Sequence, residues 1–293
     1  MHQESIAARL NRMPLGRAHW RAVVVVGLGL FFELYELYLA GVLSIVLKDE
    51  FQVRGSALPL LLGSAFLGMF LGSNLMGRLA DVAGRKPAFV INLLFYSVFT
   101  FLASFSPNVT TLIVLRFFAG IGIGGQVPLS DTYLSELLPS ARRGQAMAWA
   151  YTIQFLSAPA EGLLARVLVP THFLMAGWRW LFLIGGTGAL FVWFAQRFLP
   201  ESPRWLESVG RTKEAQRILE EIERSVKTPL LPPSAPAKTP VEPRKVPLSV
   251  LLSGAFRRRT IMLWVFHIFQ TFGYYGFGTL VPLVLVSKGI EVT

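Results

Sequence analysis

Seven stretches of this sequence stay apolar for about 20 residues each, and that repetition limits the fold more than any motif does. A run of that length crosses a bilayer as a helix, and a helix satisfies its backbone polar groups internally, as lipid requires. The runs are read as spans over residues 22–47, 58–79, 88–105, 109–134, 145–169, 178–198 and 261–286. Of the 293 residues, 53% are hydrophobic and 15% charged, against about 25% charged in a typical soluble domain. An all-α membrane protein is therefore expected, with the lipid bilayer as its surroundings. The first run is longer than a signal-peptide core and lacks a small-residue cleavage site, so it reads as a retained helix. The absence of Cys excludes disulfides and thiolate metal sites.

The net charge of +11 would suit a nucleic-acid partner. The basic residues, however, are dispersed at the ends of the spans, as the positive-inside rule expects, so no nucleic acid is expected. Arg9, Arg12, Arg17 and Arg21 precede the first span. Arg78, Arg85 and Lys86 lie between the second and third, and Arg142 and Arg143 between the fourth and fifth. The opposite side carries only Lys48, Arg54, Arg166, Arg179 and Lys288. This bias predicts a multi-pass protein of the cell inner (plasma) membrane with its N-terminus in the cytoplasm. The organisation that follows is a cytoplasmic tail (1–21), a six-helix bundle (22–199), a cytoplasmic loop (200–259) and a seventh helix (260–293). Within the loop, Ala215, Ile218, Leu219 and Ile222 share one face of an amphipathic surface helix over residues 211–226. Residues 229–247 are proline-rich and expected to be extended.

The short connection from Gly77 to Pro87, GRLADVAGRKP, has a defined chemistry. Gly77 can let helices approach, Asp81 can accept from N–H groups at a helix start, and Gly84 can take a positive φ. The glycines at 63, 68, 72 and 77 recur at four- and five-residue spacing along the second span, which suits close packing against a partner. The pattern resembles the loop between helices 2 and 3 of the major facilitator superfamily of transporters, departing from it at Val82, where a basic residue is usual. Three more stretches resemble that family's sugar-porter branch and its metabolite:proton symporter relatives. They are Arg116-Phe-Phe-Ala-Gly120-Ile-Gly122-Ile-Gly124-Gly125, then Tyr133-Leu-Ser-Glu136 with Pro139, Arg143 and Gly144, and finally Pro200-Glu-Ser-Pro-Arg-Trp-Leu206.

The resemblance implies the six-helix N-terminal half of a 12-helix fold, plus a seventh helix, in a chain that looks truncated at Thr293. It implies that Asp81, Arg85, Glu136, Arg143, Glu201 and Arg204 form a charge network gating the cytoplasmic end. It also implies a monomer at full length, and a transporter rather than an enzyme. Neither a nucleophile motif, a metal-ligand cluster nor a phosphate loop is visible, so no cofactor and no metal are expected.

Charges inside the spans point to chemistry, because an ionisable side chain at bilayer depth is costly unless paired or hydrated. Glu33 and Glu36 are three apart on the first span and share a face. At about 1.5 Å per residue, Glu36 lies roughly 9 Å from the far side of a core about 30 Å thick. Arg116, counted from Val109 on the fourth span, lies about 10 Å deep from that side. The depths match, and Glu33 falls near the midplane, where transporter substrates bind. In the sugar-porter branch an acidic residue in helix 1 faces the helix 4 arginine, and in its proton-coupled members that residue carries the proton. Leu34-Tyr35-Glu36 resembles that position, with glutamates where organic-acid relatives show aspartates. Glu36, Glu33 and Arg116 are thus expected to couple protons. Gln154, Tyr35 and Gln270 are expected to meet a small-molecule substrate, with a helix–helix hydrogen bond the alternative for Gln154. Glu161 is expected to face water near the outer end, and Asp131 to cap or join the inner network. The paired Tyr274 and Tyr275 with Pro282 look like the organic-acid relatives, so proton symport of a small organic acid or related metabolite is expected. A sugar:proton symporter and a truncated, non-transporting membrane protein stay open as alternatives.

Overall fold

The computed structural model describes residues 5–53, 57–226 and 248–289. The proline-rich segment at 229–247, and Arg54, lie outside the described residues. The described residues are helical and contain no strand. The chain separates into two compact units, Met1–Pro233 and Ser234–Thr293.

The first unit opens with a short helix, α1 (Ile6–Asn11), capped by the Ser5 hydroxyl. Part of the expected tail is thus helical. Ile6, Leu10 and Met13 are buried against the amphipathic face of α11 (Thr212–Ser225), where Ala215, Leu219 and Ile222 are buried. Arg9 is tied to Glu223 of α11 at 2.6 Å. Arg17 and Arg21 belong to the first turns of α2 (Arg17–Val42), which continues past a break at Leu43 as α3 (Ser44–Glu50). Lys48, Asp49 and Glu50 are therefore helical.

Next come α4 (Ala57–Ala83), α5 (Arg85–Ala103) and α6 (Val109–Leu137). Among the described residues, α2, α4, α5 and α6 are the helices long and apolar enough to cross a membrane. Between α4 and α5 the connection is Gly84 alone, with φ +106°. The reversal requires that conformation, which L side chains rarely adopt. The start of α6 is capped by Asn108, whose side chain accepts from Thr111 N at 2.8 Å.

The glycine-rich run of α6 exists because α4 crosses it almost backbone to backbone. A Cβ on Gly68 or Gly72 would fall on the Phe117 or Ile121 carbonyl oxygen. A Cβ on Gly120 or Gly124 would fall on the carbonyl of Ala65 or Met69. Gly63 and Gly77 meet nothing within 4 Å, so the expectation of four packing glycines is corrected to two.

The expected fifth span is two helices, α7 (Arg143–Phe155) and α8 (Ser157–Leu168). Pro159 is the cause: it lacks an N–H and its ring crowds the carbonyl four residues back, Phe155, where α7 ends. The turn tightens there, with Leu156 N donating to Ile153 O at 3.3 Å. Following it are α9 (Gly177–Ala195), a 3₁₀ turn at Gln196–Phe198, and α10 (Pro203–Ser208).

In the second unit, α12 (Gly254–Thr271) passes into a π-helical turn, Phe272–Gly276, and then α13 (Phe277–Ser287). The expected seventh span is thus wound differently at its middle. The turn holds Tyr274 and Tyr275, whose rings meet edge-on at 4.9 Å. Such π turns interrupt helices often at functional positions.

Candidate functional site

Helix α2 is the hub of a buried polar core. Arg116 of α6 donates from Nη1 to Glu36 Oε1 at 3.0 Å and from Nη2 to the Glu36 carbonyl at 3.4 Å. Both side chains are 1% exposed. One turn toward the start of α2, Glu33 is fully enclosed, and its Oε2 accepts from Gln154 Nε2 of α7 at 2.9 Å. Of the two roles open to Gln154, this is the helix–helix hydrogen bond. A third contact joins Asn92 Nδ2 of α5 to Gln126 Oε1 of α6 at 2.6 Å.

Tyr35 is a correction. Its side chain is 1% exposed and its hydroxyl donates to the Leu181 carbonyl at 3.1 Å, which fastens α2 to α9 and leaves no face for a substrate in this structure. Glu161 is another. Instead of facing water it is 1% exposed on α8, and neither carboxylate oxygen has a hydrogen-bond partner among the described residues. It is close enough to Glu36 and Arg116 for its charge to act on both. Two buried carboxylates, Glu36 and Glu161, thus act on one guanidinium. Helical spacing does not signal Glu161, because Gln154 and Glu161 lie on separate helices, α7 and α8, on either side of the break. Gln270 lies near the end of α12 in the second unit, exposed within that unit.

The second cluster sits at the Gly84 end of the bundle. Arg85 bridges three helices: Nη2 lies 2.9 Å from Glu136 Oε1 of α6, and Nη1 lies 2.8 Å from Asp81 Oδ1 of α4. The same Nη1 donates to the Ala80 carbonyl at 2.8 Å. Asp81 therefore serves Arg85 rather than a helix start. The start of α5 is capped by Glu201, whose carboxylate accepts from Arg85 N at 3.1 Å and Lys86 N at 3.2 Å. Burial holds the Glu201 carboxyl above the usual glutamate range, against the opposing pull of those hydrogen bonds.

The Pro200–Leu206 motif is a latch made of caps. Tyr133 Oη donates to the Pro200 carbonyl at 2.8 Å, Ser202 Oγ caps α10 by accepting from Trp205 N, and Trp205 Nε1 donates to the Asp81 carbonyl. Two expected members of the network place their hydrogen bonds elsewhere. Arg143 Nη2 reaches the Leu138 carbonyl at 3.5 Å, and Arg204 Nη2 reaches Asn11 Oδ1 at 2.9 Å. Burial, and then the like charge of Arg143, push the Arg204 pKa below the ordinary arginine value. Among the described residues Asp131 joins no cap or inner pair; it accepts from Tyr151 Oη at 2.8 Å.

A buried acid–guanidinium pair in a bundle of spanning helices, with a latched charge cluster at one end, defines a membrane transport fold. The model of the Major Facilitator Superfamily matches residues 24–293, and the chain belongs to that family. It is 33% identical over 287 residues to the niacin transporter NiaP of Acinetobacter baylyi, covering 98% of this chain and 64% of that protein. It is 30% identical over 297 residues to the inner membrane metabolite transport protein YdjE of Escherichia coli, covering 99% and 64%. The chain thus spans about 64% of the length of these relatives. The xylose transporter XylE from E. coli, in a partially occluded inward-open conformation, aligns with a TM-score of 0.62 at 24% identity, over 70% of this chain and 55% of that one. That likeness is one of fold. The family and these relatives are transporters, not enzymes.

Proposed function

We propose that this chain is part of a secondary transporter that moves a small organic acid together with protons across the inner membrane. The observation that carries the reading is the Glu36–Arg116 pair, closed at 3.0 Å and shut off from solvent. A proton arriving on Glu36 removes the charge that holds Arg116. The pair then opens, and α2 and α6 are free to shift against each other as the bundle rocks between its two open states. Glu33, nearer the midplane, is a second proton site or meets the substrate, with Gln154 holding its carboxylate and Gln270 as a further substrate contact. Tyr35 takes a positioning part through α9. Glu161 offers Arg116 a second carboxylate, so that losing Glu36 does not strand a buried cation.

Asp81, Arg85 and Glu136 act as a clasp that must part when the cytoplasmic end opens, with Glu201 anchoring it. Arg143 and Arg204 act as cations waiting for Glu136 in the other state. The N-terminus lies in the cytoplasm. A cytoplasm-only reporter fused after Pro87 is then active, and one fused after Pro107 silent; the reverse pattern inverts the topology.

The 33% identity to a niacin transporter favours an aromatic monocarboxylate as substrate over a sugar. The test uses a complete transporter carrying this chain, reconstituted in vesicles with labelled niacin. An imposed inward proton gradient should drive accumulation. Glu36→Gln should abolish accumulation yet keep exchange, which needs no net proton movement. Accumulation by Glu36→Gln against its gradient would remove Glu36 from the coupling path. Uptake of a sugar in place of niacin would return the sugar-symport alternative.

A further inference from the structure

A cavity of about 660 Å³ lies where the starts of α2 and α5, the end of α9 and the flank of α11 converge. Arg17, Arg21, Lys86 and Arg197 line it. Its acidic members are committed elsewhere. Glu201 takes backbone N–H groups of α5, Glu214 is paired with Arg211 at 2.5 Å, and Glu221 with Arg217 at 3.1 Å. Among the described residues Arg17 and Arg21 have no ion pair.

Arg17 stands where its own helix disfavours it. Arg17 is the first residue of α2, whose first turn holds no acid. A helix start carries about half a positive charge, so a cation there is unfavourable and an anion favourable. Arg17 and Arg21 are four apart on one helix face, where like charges repel. The Arg197 guanidinium lies 4.6 Å from the Phe194 ring centroid and 5.4 Å from that of Trp193, and Lys86 Nζ donates to the Arg197 carbonyl at 3.3 Å. Trp20 and Phe198 are exposed nearby, at the two helix ends. Aromatic side chains gather in this way at the headgroup level of a membrane.

We infer that this cavity binds a phosphate-bearing anion between Arg17, Arg21, Lys86 and Arg197. The group is the headgroup phosphate of an anionic lipid or a free phosphate. Either would relieve the repulsion among the four cations and take hydrogen bonds from guanidinium and ammonium donors that no carboxylate occupies.

The test uses the whole chain, purified in detergent, with bound lipid read by native mass spectrometry. The probes are phosphatidylglycerol, phosphatidylcholine and inorganic phosphate. Phosphatidylglycerol should be retained over phosphatidylcholine, and the double variant Arg17→Gln/Arg21→Gln should weaken it by about tenfold or more. Arg142→Gln, an exposed cation outside the cavity, should leave binding unchanged. Competition by inorganic phosphate at millimolar level assigns the site to the phosphate group itself; no competition assigns it to the lipid. The inference is overturned if both lipids bind equally, if Arg142→Gln weakens binding as much as the double variant, or if the folded double variant binds as wild type.

Discussion

Arg85 and Glu136, 51 positions apart in the sequence, meet at 2.9 Å and are 12% and 18% exposed as side chains, while the second acid on Arg85, Asp81, is 76% exposed. The two carboxylates thus contribute unequally to one guanidinium. An exposed pair is worth about 0–1 kcal/mol, whereas a half-buried pair with several donors leaves an unsatisfied charge when it is broken.

From this asymmetry, Asp81→Ala should lower stability by less than about 1 kcal/mol, and Glu136→Ala by about 1–3 kcal/mol. The measurement is the apparent unfolding midpoint of the purified chain in one detergent. Equal losses from the two variants would mean that burial does not set the strength of this cluster.

The α4–α6 crossing gives a contrast within one helix. Gly72→Ala places a methyl group on the Ile121 carbonyl and should cost about 1–3 kcal/mol, since backbone cannot yield as a side chain would. Gly77→Ala meets nothing within 4 Å and should be neutral or stabilising by up to about 1 kcal/mol through helix propensity. Thermal unfolding of the two variants side by side checks both, and a damaging Gly77→Ala would contradict the open surface at that position.

Much of this arrangement is visible in the sequence where it depends on helix geometry alone. Glu36 and Arg116 meet because a constant rise per residue makes depth countable on each helix. The single-residue turn at Gly84 follows from glycine at the reversal. What depends on how helices cross is not visible. Four glycines along α4 share a spacing, yet only those at the crossing point touch α6. Glu201 caps α5 across 116 positions, which no local pattern signals. Glu161 looks peripheral when residues 145–169 are counted as one straight helix. Pro159 breaks that helix, and the segment after it packs Glu161 toward α2.

The Glu201 carboxyl supplies a pH test at the latch. Burial places its folded pKa above the usual range, with hydrogen bonds from Ser202, Lys86 and Arg85 opposing. A carboxyl raised in the folded state contributes stability that is full below its unfolded value, about 4.3, and is lost as pH rises through the folded value. Wild type should therefore lose midpoint relative to Glu201→Gln as pH rises above about 4.3, and the difference should level once both states are ionised. A difference that grows in favour of wild type with rising pH would mean that the capping hydrogen bonds outweigh burial.

The last prediction concerns Arg116 and its two acids. A guanidinium that is 1% exposed cannot be left without a counter-charge cheaply; removing the partner of a buried pair costs about 3–5 kcal/mol. If Glu161 can take over the guanidinium, Glu36→Gln alone should cost much less than that, because a second carboxyl group remains beside Arg116. Glu161→Gln alone should also be mild, since Glu36 keeps the pair. The double variant Glu36→Gln/Glu161→Gln leaves Glu33 as the nearest acid on α2, one turn away and bound to Gln154. It should lose at least about 1 kcal/mol more than the sum of the singles, the mark of groups sharing one partner. Adding Arg116→Gln to the double variant should recover stability by removing the stranded charge. These are midpoints measured on the chain itself, so they do not depend on transport. Strictly additive losses, or no recovery with Arg116→Gln, would show that Glu161 is no alternative partner for Arg116, whatever Glu36 does with the proton.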